Sequence, residues 1–456
     1  MTLNRRHFLK SSAGAAFASP FLQAQTPRRI SANDHVQVAI IGLGGQGTGD
    51  VRASLAQQGV KLLAVADVYD GRREHSKEVW GADLFTTRDY REVLARPDVD
   101  AVIIATPDHW HSTITIEALG ARKDVYCEKP MVQLISDGMP VVEAARRSDR
   151  IIQIGSQRVS SIIYAKARDL YRQGAIGQLN MIEAWYDRNS AIGAWQYSIP
   201  LDASPQTVDW DRFLGRAPKH PFDGKRIFRW RNYRDYGTGV AGDLFVHLFS
   251  GIHFILDSIG PERVYATGGL RFWKDGRDVP DVMLGLYDYP QTETHPAFNL
   301  ALRVDFVDGA TETSGFRFVG SEGIMTIGSN VTLSRHPRES EPGYTINTFT
   351  DAMQREYLEE YRKKYPKTTP SSDSMRPDAD EKFLPPPGYS DHVDHHRHFI
   401  ESVRTRKPAV EDAVFGFRAA APALLSNVSY FERRVCHWDP KSMREAAAKT
   451  QISIRM

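Results

Sequence analysis

The segment from Val36 to Gly47, VQVAIIGLGGQG, constrains the fold more than any other part of the chain: a largely apolar run ends in glycines spaced G-x-G-x-x-G. Such a run reads as a buried strand that hands over to a helix, and each glycine has its own steric task. Gly42 makes the tight turn, Gly44 lets backbone approach a pyrophosphate, and Gly47 lets the helix pack on the strand. Asp67 ends the next apolar run, KLLAVAD, 20 residues beyond Gly47, where a carboxylate accepts hydrogen bonds from a ribose diol.

The same rhythm continues to Gly155. The strand-like VDAVIIAT, KDVYCEKP and RIIQIGS alternate with the amphipathic GRREHSKEVW, HSTITIEALGA and DGMPVVEAARRS. Alternation of this kind predicts a parallel, doubly wound sheet, and residues 34–156 are assigned to a Rossmann dinucleotide-binding domain. Beyond it, QLNMIEAWYDR, PERVYATGGLRF, DVMLGLYDY and FNLALRVDFV follow without helices between them, which predicts a mostly antiparallel sheet. One strongly apolar helix, GDLFVHLFSGIHFILDSI, interrupts them, Tyr365 to Pro387 reads as a linker, and a helix pair closes the chain. The expected fold class is therefore α/β plus α+β, with residues 157–456 forming an open, mostly antiparallel sheet with helices on one face.

A chain of 456 residues with 58 basic and 56 acidic side chains, net charge +2, gives no electrostatic case for nucleic acid. It holds no run of about 18 apolar residues, which argues against a membrane span. The first 30 residues are of another kind. NRRHFLK (Asn4 to Lys10) followed by SSAGAAFASPFLQA resembles a twin-arginine export signal with cleavage after Ala24, and predicts a periplasmic or otherwise exported protein. Because that route carries folded proteins, Cys127 and Cys436 need not pair.

The candidate cofactor residues are Gly42, Leu43, Gly44, Gln46, Gly47 and Asp67, with Thr106, Pro107 and His111 from the loop ATPDHWH after the fourth strand, and Glu128 and Lys129 after the fifth. Asp67 favours NAD over NADP, since it would repel a 2′-phosphate; Arg72 or Arg73 are the residues that would meet such a phosphate instead. Asp243 and His247 stand four apart in the apolar helix and are expected to share one face. A histidine there is suited to take a hydroxyl proton as a hydride leaves, with the aspartate orienting it or binding a neighbouring hydroxyl. Trp185, Tyr233 and Tyr236 are candidate aromatic walls for a sugar ring. His392 and His396 have metal-like spacing, but with no neighbouring acidic third ligand of obvious geometry a metal is not expected.

The motifs GLGGQG, TPDHWH and EKP, continued in QIGSQR, GDLFVH and FVGSEGIMTI, resemble the glucose-fructose oxidoreductase / inositol dehydrogenase (Gfo/Idh/MocA) family. The resemblance implies a Rossmann domain followed by an open antiparallel sheet, assembly as dimers or tetramers, and a sugar or polyol substrate. It also implies that Lys129 contacts the reacting hydroxyl, with Asp243 and His247 completing the catalytic set and Arg158 near the substrate. Ser250, where the family often has Asp, and Phe245, where a small residue is common, depart from the pattern. Joined to the export signal, these readings predict an oxidoreductase that keeps its NAD bound in a redox-neutral cycle. The alternatives are a glycoside-cleaving enzyme that works through transient 3-keto oxidation, or a sugar-binding relative without turnover.

Overall fold

The computed structural model describes residues 35–447 except 308, 310–311, 336–343 and 367–379. The expected export signal and most of the expected linker lie outside the described residues. No described helix is long and apolar enough to cross a membrane.

The first sheet contains β1 (Val36–Ile41), β2 (Val60–Ala66), β3 (Phe85–Thr87), β4 (Ala101–Ile104), β5 (Asp124–Cys127) and β6 (Ile152–Ile154), all parallel, in the order β3-β2-β1-β4-β5-β6. Its central strands lack polar alternation because helices cover both faces: every residue of β4 and β5 is buried. The order reverses between β1 and β4, so the loops after these strands meet at the carboxyl edge of the sheet, where such sheets bind ligands. α1 (Gly45–Leu55) leaves the glycine loop after β1, and α2 (Asp108–Gly120) leaves the loop after β4.

The second sheet has ten strands. They are β7 (Leu179–Asp187), β8 (Arg263–Gly269), β9 (Val282–Tyr289), β10 (Phe298–Asp305), β11 (Thr313–Gly320), β12 (Gly323–Ile327), β13 (Val331–Arg335), β14 (Glu381–Phe383), β15 (Cys436–Asp439) and β16 (Arg444–Glu445). Every pairing is antiparallel except that of β7 with β10. Residues alternate between buried and exposed along β8, β9 and β10, so one face is covered and the other open. The covered face meets α3 (Val246–Leu256) and α5 (Ala413–Glu432): Tyr287 packs edge-on against Phe249 and shares a 2.7 Å hydrogen bond with Ser426. The open face carries Tyr265 and Leu286 as a cross-strand pair with Leu284 beside it, all substantially exposed.

From Val36 onward the chain is one compact unit, and a single apolar cluster runs from Ile104 and Ile154 of the first sheet to Leu302 and Phe316 of the second. Two segments bind the sheets further. Residues 188–237 strap across the mouth of the first sheet, where Asp70 N donates to Thr207 O and Asp209 N donates to Val68 O, each at 2.9 Å. Tyr69, Phe213, Phe228 and Tyr236 pack beneath this strap. α4 (Asp391–Thr405) returns to the parallel sheet, where Gln153 Nε2 donates to His395 O and His395 Nε2 meets Ile154 O.

Candidate active site

The glycine loop is built as its spacing demands. Gly42 has φ +90°, and a Cβ there would stand 2.7 Å from Ala105 O; a Cβ on Gly47 would stand 2.2 Å from Gly42 O. Gly44 is the N-cap of α1 and no side chain hydrogen-bonds that terminus, which leaves its N–H groups available to a pyrophosphate. Asp67 fixes the loop: Oδ2 accepts from Leu43 N at 2.8 Å and Oδ1 from Tyr69 N at 2.9 Å. Arg72 lies 3.5 Å from the same carboxylate and packs on the ring of Phe228. A cleft lined by Gly42, Gly44, Gln46, Asp67, Thr106 and Pro107 is closed from the other side by Tyr197, Phe228 and Trp230 of the strap. The residues present therefore fit a dinucleotide along its length.

His111 has a different place from the one expected. It is buried outside this lining, with Nδ1 2.7 Å from Pro130 O and Nε2 2.9 Å from Thr106 O. It ties the loop after β4 to the loop after β5, and burial pushes its pKa down to about 4, so it stays neutral. His109 stands in the first turn of α2, whose N-cap is Pro107, and its Nε2 is 2.8 Å from Phe213 O.

Below the cofactor cleft lies a cavity of about 790 Å³ lined by Glu128, Lys129, Arg158, Tyr186, Asp243 and His247, among others. Lys129 Nζ donates to Asp243 Oδ1 at 2.9 Å and to Asp243 O at 2.8 Å, and Arg231 Nε donates to the same Oδ1 at 3.1 Å. Burial alone would raise the Asp243 carboxyl, but the charges of Lys129 and Arg231 outweigh it and hold the group well below the usual carboxylate range. Glu128 is the opposite case. It is buried, accepts from Gln46 Nε2 at 3.1 Å and Gln157 Nε2 at 2.8 Å, and burial with the nearby charge of Asp50 drives its pKa well up.

The structure corrects the expected partnership of Asp243 with His247. Both side chains face the same cavity, as their spacing leads one to expect, but no hydrogen bond joins them. Asp243 orients Lys129 instead. His247, in the first turn of α3, lines the cavity with its ring 6.1 Å from that of Tyr186, and its Nδ1 is buried without a hydrogen-bond partner. Burial, then the charges of Lys129 and Arg158, hold its pKa well below 6.5, so the ring is neutral and able to accept a proton.

Of the expected substrate residues, Arg158 lines the cavity, with Nη1 and Nη2 each 3.2 Å from Ser314 Oγ. Trp185 does not. Successive residues of β7 face opposite sides, so Tyr186 reaches the cavity and Trp185 lies on the other side under Arg303. Tyr233 and Tyr236 are also misplaced by the sequence reading: both belong to the apolar packing under the strap. The residues missed are Tyr186, Arg188 and Arg231. Burial would raise the Tyr186 phenol, but Arg158 and Arg188 outweigh it and lower its pKa. The histidines His392 and His396, set aside for want of an acidic partner, meet Asp50 of α1.

Residues 36–156 match the model of an oxidoreductase family described by its NAD-binding Rossmann fold, and residues 191–266 match that family's C-terminal α/β domain. These two segments are similar to the Gfo/Idh/MocA oxidoreductase family, and the Rossmann domain is of the NAD-binding kind. Inositol 2-dehydrogenase of Salmonella typhimurium is 28% identical over 205 residues, 44% of this chain and 56% of that protein. Inositol 2-dehydrogenase of Mycolicibacterium smegmatis is 34% identical over 184 residues, 39% of this chain and 52% of that one. A glycosyl hydrolase family 109 protein of Shewanella baltica is 29% identical over 215 residues, 40% and 46% of the two chains. The chain thus spans about half the length of the curated relatives it matches. Among solved structures, levoglucosan dehydrogenase in complex with NADH and levoglucosan has a TM-score of 0.61 at 16% identity, covering 88% of this chain and 98% of that one. The fold is thereby that of a Rossmann domain joined to a mostly antiparallel sheet.

Proposed function

We propose that this protein is an oxidoreductase that acts on a hydroxyl group of a sugar, glycoside or polyol and keeps its NAD bound through a redox-neutral cycle. The observation that carries the reading is that Lys129, Asp243 and His247 line one polar cavity large enough for a sugar, which shares Gln46, Tyr197 and Arg231 with the lining of the cofactor cleft. NAD, when bound, would take a hydride from the carbinol carbon and return it to a carbonyl of the same or a second sugar, which closes the cycle without release of NADH. His247, which lines the cavity and is held neutral by burial, takes the hydroxyl proton. Lys129 stabilises the negative charge that develops on that oxygen, and Asp243 with Arg231 fixes the ammonium where the charge appears. The inositol dehydrogenases among the relatives and the sugar ligand of the structural neighbour support this substrate class.

Retention is supported by the strap, whose Tyr197, Phe228 and Trp230 close the cleft from outside the Rossmann domain. It also suits the twin-arginine segment, since an exported enzyme has no dinucleotide pool to exchange with. Loading in the cytoplasm before export would stabilise the folded form. The protein released by denaturation should yield NAD(H), and a screen of glycosides and free sugars should reveal keto-sugar products. Cleavage of the glycosidic bond in that screen would favour the reading suggested by the family 109 relative. Absence of both the dinucleotide and any product would defeat the proposal.

Two further outcomes are expected. Because His247 is held neutral, the acid limb of kcat should lie below pH 6.5, where an ordinary histidine is already half charged; a limb at or above that pH would contradict the assignment. Asp67→Ala should weaken NAD binding and relieve the exclusion of NADP, with Arg72 freed from its ion pair to meet the added phosphate. An unchanged ratio of NAD to NADP affinity would remove Asp67 from cofactor choice. Self-association is proposed through the open face of the second sheet at Tyr265, Leu284 and Leu286; sedimentation velocity should show an oligomer, and a monomer would contradict it.

A further inference from the structure

α4 and α1 bring two imidazoles and a carboxylate together. His392 and His396 lie one turn apart on α4, and the carboxylate that meets them comes from Asp50, 342 positions away from His392 in the chain. Asp50 Oδ1 is 2.8 Å from His392 Nε2 and 3.4 Å from His396 Nε2, and ligand atoms of all three lie within 4.8 Å of one another. Asp50 is fully buried and its Oδ2 has no hydrogen-bond partner. Among the described residues, its ion-pair partners are only these two imidazoles, so no lysine or arginine provides a permanent positive charge for a carboxylate removed from water.

The surroundings also hold the donors in place. His396 Nδ1 is 2.8 Å from Ser54 Oγ, which leaves Nε2 directed at Asp50; a second contact of this sort is what orients a metal-bound imidazole. His392 approaches α1 at Gly49, where a Cβ would stand 3.3 Å from the imidazole Cε1. Gln46 Nε2 bridges Asp50 Oδ1 and Glu128 Oε1, linking the cluster to the cavity wall, and His392 itself lines that cavity.

We propose that Asp50, His392 and His396 bind one divalent first-row transition-metal ion of the Zn²⁺ type. Two imidazoles and a carboxylate suit such an ion, whereas Mg²⁺ and Ca²⁺ take sites built almost wholly from oxygen. Three protein donors leave room for a further oxygen ligand, water or a substrate hydroxyl, from the cavity side. The ion would neutralise Asp50 and tie α4 to the helix that opens on the cofactor loop. This inference does not rest on the redox reading of the neighbouring cavity.

The test uses the full chain, stripped with EDTA, dialysed and titrated with Co²⁺ and then Zn²⁺. One Co²⁺ per chain is expected, with the visible d–d absorption of a low-coordinate site and loss of that absorption on adding one equivalent of Zn²⁺. His392→Ala and Asp50→Asn should each weaken binding by at least the roughly 10- to 100-fold that losing an outer-shell partner costs. His392 is partly exposed, so its truncation is the variant that keeps the fold, checked by circular dichroism, and it decides the matter if Asp50→Asn does not fold. Folded wild-type protein that takes up no stoichiometric Co²⁺ or Zn²⁺ overturns the proposal. Uptake undiminished in His392→Ala overturns it equally, by showing adventitious binding elsewhere.

Discussion

His247→Ala is expected to lower kcat by about 10²- to 10⁴-fold while leaving the dinucleotide bound, the range for loss of a positioned proton-transfer group. The expectation follows from where the ring sits. It lines the substrate cavity and not the cofactor cleft, so cofactor binding has no reason to change. Its Nδ1 has no partner to lose, so truncation strands no buried hydrogen-bonding group and should not unfold the helix it begins. Stopped-flow turnover with cofactor content measured on the same sample separates the two effects. Near-normal kcat would remove His247 from the chemistry, and a lost cofactor would make its role structural.

Lys129→Met should be comparably damaging, by about 10²- to 10³-fold in kcat, the cost of removing one preorganised group that stabilises a developing oxyanion. Methionine keeps most of the volume and removes the charge. The side chain is almost enclosed and donates twice to Asp243, so the substitution also leaves a buried carboxylate with Arg231 as its remaining cation partner. Some loss of stability is therefore expected alongside the kinetic effect, since breaking a buried pair from one side costs more than the pair contributes. Lys129→Arg provides the control: it restores charge and stability but not the compact ammonium, and should recover folding without recovering rate. Full activity in Lys129→Met would contradict the assignment.

The Rossmann half was legible because its signals are local and steric. Gly42 and Gly47 stand where a Cβ would strike backbone, and Asp67 holds the loop between them through backbone N–H groups, so spacing alone located the cofactor cleft. Lys129 is named by the resemblance of its EKP motif, and the structure puts it on the cavity beside Asp243. What could not be read were contacts made between distant segments. Arg231 looks like any arginine in a charged stretch until the strap carries it to Asp243. Trp185 and Tyr186 are equally plausible walls in sequence, because alternation along β7 says that one of them faces inward without saying which. The spacing of Asp243 and His247 placed both on one cavity, but it did not show that Asp243 would pair with Lys129 rather than with the histidine. Asp50 was invisible as a partner of His392 because nothing near α4 in the chain announces it.

Lys129, Asp243 and His247 are proposed to serve the oxidation of a sugar hydroxyl by a dinucleotide that the protein does not release. The most direct measurement purifies the protein without added cofactor, mixes it with a panel of glycosides and sugars, and follows reduced-nicotinamide absorbance separately in the protein and in the ultrafiltrate. The predicted result is near-stoichiometric NAD(H) in the starting protein, reduction confined to the protein fraction, and turnover without NADH in the filtrate. Protein that arrives empty, turns over only when free NAD is supplied and accumulates NADH in solution would contradict the account.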